Sequence, residues 1–351
     1  MKASFMGAGT YIGKVASARI SSEDGAQAAS ARMFGGTPPV ACDRETASKS
    51  LQRTIENCRR AEDLGFDWVS VSEHHYAPYM LTPNPLVLAA AISQHVKHAK
   101  IALLGPLLPL ANPIRVAEEI AMLDSISGGR VIVLFLRGTP SEWRIYDDVT
   151  QTSREMTQEG IELILKAWTE PDGFAWRGKH FQFDNVSVWP RTRQDPHPPV
   201  FGSGNSEESA IFAAQHKLGL AMSFMPSAAV KRIVTLYKDE AKKAGWTPTA
   251  DHILYRAMCQ IADTNEPHET PYDKADNQTK AEGKDAPLFV MGAYISGGPR
   301  NVLRQIEQLR DAGVGILDMN VNSSVEIAGS DGQVVATELF AKKILPEIRS
   351  W

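Results

Sequence analysis

The chain has 351 residues, 43% of them hydrophobic and 22% charged, enough for a large buried core within ordinary globular composition. Its formal net charge of −4 gives no global attraction to phosphate backbones or anionic lipid, which argues against nucleic-acid and membrane-surface roles. No run approaches the ~20 apolar residues of a membrane span, the N-terminus lacks a signal-like apolar stretch, and Cys42, Cys58 and Cys259 have no disulfide or zinc spacing. A cytoplasmic protein without a metal is expected.

Short apolar runs alternate with amphipathic helical patterns along the whole chain, the rhythm of a parallel sheet covered by helices. Strands are predicted near 3–7, 66–72, 100–106, 131–136, 199–203, 219–224, 253–262 and 315–321. Eight βα units predict one α/β domain over 1–351, a (β/α)8 TIM barrel with insertions at its C-terminal face. A first helix over about 44–63 carries Leu51, Ile55 and Cys58 on one face and stops at Gly65. Asn112-Pro113 opens another, which repeats Val116, Ile120 and Leu123 until Gly128-Gly129 ends it. Thr152-Ser153-Arg154-Glu155 reads as a capping box, and Asn205 to Glu208 as a further helix start. Residues 16–42 form a long first loop, 173–189 a β-hairpin, and 263–290 either a lid or a solvated insertion.

In such a barrel the chemistry sits at the C-terminal ends of the strands. There the sequence places Glu73-His74-His75-Tyr76, Leu104-Gly105-Pro106, Leu136-Arg137-Gly138 and Gly202-Ser203-Gly204-Asn205-Ser206. The glycine-rich turn leads into a helix whose N-terminus favours an anion, and Arg137 and Arg154 offer bidentate contacts to a phosphate. A tight turn and a structural ion pair explain the same residues without a ligand. Adjacent histidines on a strand point to opposite sides, so one of His74 and His75 should face the site, with Glu73 beside it for proton transfer at neutral pH. A histidine satisfied in the core is the plain alternative. Phe224, at a strand end, is a candidate wall for a flat ring, with Phe5, Tyr76 and Met225 weaker ones, and the apolar 101–110 run suits either a pocket wall or a buried strand.

From Phe66 to Arg154 these residues resemble the bacterial-luciferase-like flavin monooxygenases: GFDWVSVSEHHY, then LLPLANPIRVAEEIAMLDSISGGRV, then FLRG, then SRE opening a helix. The similarity covers most of the chain and weakens after Met225. It implies a barrel that binds reduced FMN (FMNH2) delivered by a separate NAD(P)H:flavin reductase. Oxygen adds at the flavin C4a, and the resulting peroxyflavin puts one oxygen atom on a small organic substrate. By the motif match, Arg137, Arg154 and the Ser203–Ser206 loop contact the FMN phosphate and His74 supports chemistry at the flavin. Leu104-Gly105 falls where relatives carry a non-prolyl cis peptide. Family members commonly form oligomers, so a homodimer is expected.

Two departures matter. Leu136 stands where luciferase catalytic subunits carry a cysteine, which argues against light emission, and the 16–42 loop is longer than theirs. The competing readings are an F420-dependent hydride-transfer enzyme on the same fold, a non-catalytic flavin-binding partner subunit, and a phosphate-sugar aldolase or isomerase. The last would want a lysine at a strand end, and none is placed there.

Overall fold

A computed structural model describes residues 1–13, 39–76, 80–264, 277, 295–323 and 331–351. In chain order the strands are β1 (Lys2–Met6), β2 (Trp68–Val71), β3 (Lys100–Leu107), β4 (Val131–Leu136), β5 (Phe174–Arg177), β6 (Gln182–Val186), β7 (Val200–Ser203), β8 (Gly219–Ser223), β9 (Ile253–Ile261), β10 (Ile295–Gly297) and β11 (Ile316–Ser323). The helices are α1 (Arg44–Asp63), α2 (Pro85–His95), α3 (Pro113–Ser127), α4 (Ser153–Thr169), α5 (Glu207–Gln215), α6 (Ser227–Lys243), α7 (Pro299–Asp311), α8 (Asp331–Lys343) and α9 (Leu345–Arg349). Hydrogen bonding orders the main sheet β10-β9-β11-β1-β2-β3-β4-β7-β8, and β8 pairs again with β9. Eight strands thereby close the parallel barrel that the sequence predicts, each within about three residues of its expected place. Strands β5 and β6 form the antiparallel hairpin expected over 173–189. Most of 263–290 and most of 16–42 lie outside the described residues.

The chain divides into two compact units. One comprises Met1–Met6, Arg60–Val69 and Phe201–Trp351. Its strands run β7-β8-β9-β11-β1 in continuous parallel register, from Phe201↔Gly219 to Asp318↔Arg256 and Ser4↔Asp318. Phe66 packs edge-on to Phe5 and stacked on Phe340, which fixes α8 against this sheet. Strand β10 was not expected. It extends β9 at Cys259–Ile261, beyond the stretch Ile253–Arg256 that pairs with β8.

The other unit comprises Gly7–Arg59 and Ser70–Val200. Its strands β3 and β4 are almost wholly buried, as the unbroken apolar runs require for strands covered on both faces. Helix α3 begins as the sequence says: the Asn112 side chain accepts from Ile114 N and Arg115 N at 2.9 and 3.3 Å, a cap that contributes about 1 kcal/mol. It ends at Gly128, whose φ of +75° is the left-handed stop that glycine takes without a Cβ clash. Trp168 of α4 lies against Phe135 of β4 and donates its indole N–H to Ala117 O of α3, which ties the helix layer to the sheet.

Helix α4 starts at Ser153, but without the expected capping box. Thr152 sits in the right-handed helical region (φ −107°, ψ −11°) with no capping bond, and its hydroxyl reaches Met156 Sδ instead. Glu155 turns to Lys179 and His180 of the hairpin, at 2.6 and 2.9 Å.

Candidate functional site

In the unit that holds β3 and β4, three strand ends meet. Beyond Val71 the backbone leaves the extended form and bends at His75 and Tyr76, so the two histidines reach separate carboxylates rather than opposite sheet faces. His75 Nε2 lies 2.9 Å from Glu73 Oε1, and His74 Nδ1 lies 3.1 Å from Glu142 Oε1. Of the two histidines it is His75 that Glu73 holds, and the second Glu73 oxygen accepts from Leu107 N at 3.1 Å.

Leu107 follows a bulge. Between Leu104 and Leu107 the β3–β4 register shifts, and Gly105 takes φ +128°, a conformation that L side chains rarely adopt. A Cβ on Gly105 would lie 2.9 Å from Leu136 Cδ1, so this position needs glycine for space as well. The bulge does the turning with a trans bond at Leu104–Gly105: among the described residues the cis bonds are Trp189–Pro190 and Asp195–Pro196. Leu104 itself is fully buried in the core.

Glu142 follows β4 in a short 3-10 turn (Glu142–Arg144) and is almost fully buried. Oε1 takes His74 Nδ1 and the His75 N–H at 3.3 Å, while Oε2 takes the Thr139 N–H and hydroxyl at 2.9 and 2.8 Å. Burial is the largest single influence on this carboxyl and pushes it up. The hydrogen bond and charge of His74 and the two Thr139 bonds together outweigh it and hold the group below the usual carboxylate value. Trp143 donates its indole N–H to Arg137 O at 2.8 Å, and the Arg137 guanidinium lies over the Trp143 ring at 4.6 Å. At the start of α4, next to Arg154, the Ser153 hydroxyl is buried with no hydrogen-bond partner. The connection from β4 to α4 also bounds a polar cleft of about 370 Å³ lined by Pro140, Arg144, Asp148, Thr150 and Gln151. The sequence reading missed Glu142, Trp143 and Ser153.

In the unit that holds β7 to β11, the Gly202–Ser206 turn is shaped by packing. A Cβ on Gly202 would meet Ala213 at 3.1 Å, and one on Gly204 would meet Leu220 at 2.6 Å. Gly204 N–H already donates to Ala221 O at 2.7 Å, and Ser206 caps α5 by accepting from Ser209 N at 3.2 Å. Asn205 clamps the turn to Ser223 with bonds in both directions, its amide donating to Ser223 Oγ at 3.0 Å and its oxygen accepting from Ser223 N at 2.9 Å. The first turn of α5 carries Glu207 and Glu208, which oppose an anion there. Next to Ser223, Phe224 adopts φ +54°; Tyr76, after β2, adopts φ +53°. Such values are outliers for bulky residues, and they recur at functional sites. Met225 belongs to the core instead, with its backbone N–H and C=O both bonded to the Tyr255 hydroxyl.

One register row of this unit is polar: Ser4, Asp318, Arg256 and Ser223 are aligned partners on β1, β11, β9 and β8, and aligned residues on parallel strands share a face. Arg256 Nε meets Asp318 Oδ2 at 2.6 Å. Ser4 Oγ and Arg256 Nη2 are buried without partners.

Burial pushes the Cys58 thiol up to about 12 and the Cys259 thiol higher, so both remain protonated packing groups. Among the described residues no group of three or more His, Cys, Asp or Glu could hold a metal, and no helix is long and apolar enough to cross a membrane.

Residues 33–315 match the family model for luciferase-like monooxygenases. The chain belongs to that family. The alkanal monooxygenase alpha chain of Photorhabdus luminescens is 30% identical over 190 residues, covering 53% of this chain and 52% of that one. The chain spans about half the length of the curated relatives it matches. Among solved structures, the monooxygenase RslO1 of Streptomyces bottropensis matches with a TM-score of 0.70 and 26% identity, covering 86% of this chain and 95% of that one. The oxygenating constituent of 3,6-diketocamphane monooxygenase from Pseudomonas putida, in complex with FMN, has the same fold at a TM-score of 0.66 and 23% identity over 86% and 94% of the two chains. So does an F420-dependent secondary alcohol dehydrogenase, at 0.66 and 18% over 85% and 95%. These likenesses agree with the barrel, and the luciferase-like motifs read in the sequence fall on Glu73–Tyr76, Leu136–Gly138 and the start of α4.

Proposed function

We propose that this luciferase-like chain is the oxygenase component of a two-component system, taking reduced FMN from a separate NAD(P)H:flavin reductase and using O2 to put one oxygen atom on a small organic substrate, without light. The observation that carries this reading is the meeting of three strand ends in a member of this family: His74 and Gly138 lie against the buried Glu142, Gly105 against Leu136, and Arg137 against Trp143. A monooxygenase solved with FMN on the same fold supports the choice of flavin.

The residues present fit a phosphate-bearing flavin. At the start of α4 the unpartnered, buried Ser153 hydroxyl, the adjacent Arg154 and the helix N-terminus make a donor set suited to a dianion. Glu155, the acid of that first turn, is paired with Lys179 and hydrogen-bonded to His180. Arg154 and Arg137 are assigned to the phosphate. Reduced FMN, when bound, supplies the electrons that activate O2. His74 holds or moves the proton at that centre, while Leu104, Leu136 and the apolar β3 run exclude water, which such chemistry requires. With Leu136 in place of a thiol, no nucleophile stands at this position.

Removing the Arg137 guanidinium deletes a charge-assisted contact worth roughly 1.5–3 kcal/mol. Arg137→Ala is therefore expected to weaken FMN about 10- to 100-fold in a fluorescence titration and to leave riboflavin, which lacks the phosphate, unchanged. Equal weakening of both would place the phosphate elsewhere.

The whole reading is tested by anaerobic titration with photoreduced FMN and, separately, reduced F420, followed by stopped-flow mixing with oxygenated buffer and a panel of decanal, cyclohexanone and octanesulfonate. Binding of reduced FMN with an oxygen-dependent transient absorbance and an oxygenated product is expected. Tight binding of F420 without a response to oxygen would overturn the oxygenase reading in favour of hydride transfer.

A further inference from the structure

Four donors converge on one buried carboxylate, and their division between its two oxygens fixes more than position. An ionised carboxylate only accepts, so whatever reaches Glu142 must present a proton. Oε2 is taken by the N–H and hydroxyl of Thr139 at 2.9 and 2.8 Å, Oε1 by the N–H of His75 at 3.3 Å and by Nδ1 of His74 at 3.1 Å. The Thr139 donors and the His75 donor are on backbone and hydroxyl groups of the two segments, so the carboxylate is held from both sides independently of His74.

We propose that Glu142 is the positioning residue of the site: it fixes His74 as the tautomer protonated at Nδ1, so that Nε2 of the neutral ring carries the lone pair used as proton acceptor. This rests on the reading that His74 works at the flavin, and extends it by naming the group that sets its polarity. The same logic runs in other histidine sites, where a buried carboxylate on one nitrogen decides what the other can do. Glu73 does not serve His74 in this way. Its oxygens are committed to His75 Nε2 and Leu107 N, where it ties the β2 loop to the Gly105 bulge. The low-lying Glu142 carboxyl agrees with an ion at this position despite its burial.

The substitution Glu142→Gln is close to isosteric and makes a definite demand. Both Thr139 donors need an acceptor at Oε2, so the amide oxygen belongs there and the amide N–H2 then faces His74 Nδ1 and the His75 N–H. Facing a donor, the His74 ring is expected to reverse, with Nε2 protonated and Nδ1 accepting. The tautomer is read directly from ring-nitrogen shifts of selectively 15N-histidine-labelled, flavin-free protein, with His74→Gln for assignment. The expected results are Nδ1–H in the native chain, Nε2–H in Glu142→Gln, and Nδ1–H again in Glu142→Asp, which keeps the charge.

Oxygenation of a panel substrate is expected to fall about 10- to 100-fold in Glu142→Gln with FMN affinity retained, and to be partly restored in Glu142→Asp. Nε2–H in the native protein, or native turnover in a Glu142→Gln chain whose tautomer has reversed, would overturn the proposal. Because the shifts are measured without flavin, a protein that binds F420 or neither cofactor still reports the tautomer, which separates failure of this assignment from failure of the FMN reading. Glu142→Asp and its spectrum keep the test decisive if Glu142→Gln does not fold.

Discussion

Replacing His74 with alanine is expected to lower oxygenation of a panel substrate by about 10²- to 10⁴-fold, the range that positioned acid–base groups supply. FMN should stay bound, because the groups assigned to its phosphate lie elsewhere: Arg137 is held by its own carbonyl's bond from Trp143 and its stacking on that ring, and Arg154 stands at the start of α4. The fold should survive as well. Glu142 keeps the Thr139 N–H, the Thr139 hydroxyl and the His75 N–H after His74 is removed, and the His74 side chain is 16% exposed, so little packing is lost. Reduced flavin would then be consumed without product, and hydrogen peroxide should rise in proportion. The comparison that decides is turnover against flavin affinity. A chain with native affinity and native turnover after His74→Ala would remove this residue from the chemistry, whereas parallel loss of both would make it a structural support.

Much of the fold was legible because its signals are local. Asn112-Pro113 and Gly128 bracket a helix through bonds and dihedrals confined to a few residues, and the apolar runs of β3 and β4 are continuous because both faces are covered. The same asparagine–proline signal at Asn84-Pro85 opens α2, a helix not singled out in the sequence. Three things were hidden for physical reasons. Glu142 is 68 residues from His74, in a turn whose polar Ser-Glu-Trp-Arg sequence looks like solvent-facing loop. Thr152 and Glu155 have the identities of a capping box, but the identities do not fix φ and ψ, and cationic partners on the hairpin claim Glu155. The glycines at 202 and 204 suggest a phosphate cradle by composition, yet Ala213, Leu220 and Met222 already demand the missing Cβ atoms. Packing and anion binding select the same residue there, so composition alone does not separate them.

The second large effect concerns the polar row in the unit of β7 to β11. Asp318→Ala is expected to destabilise the protein by about 3–5 kcal/mol in urea unfolding followed by tryptophan fluorescence, because it strands a guanidinium in the interior. The Asp318 side chain is fully buried and that of Arg256 is 13% exposed, so water offers little replacement. Arg256 Nη2 is already buried without a hydrogen-bond partner, and its register neighbour Ser223 is engaged by Asn205. Replacing both charges, as Arg256→Met with Asp318→Leu, should cost much less than the single change, since the pair gains little over well-packed apolar groups once its desolvation is counted. The double variant thereby separates the cost of a lone charge from the net worth of the pair. A loss below about 1 kcal/mol for Asp318→Ala, in the range of exposed pairs, would mean that solvent reaches Arg256 after all. The expected asymmetry also reaches a neighbouring turn: Arg256 accepts Phe224 N–H on its carbonyl at 3.4 Å, and Asn205 joins Ser223 to the Gly202–Ser206 turn. Loosening the pair should therefore disturb Phe224 and that turn together, while the double variant, with β9 and β11 still packed, leaves them more ordered.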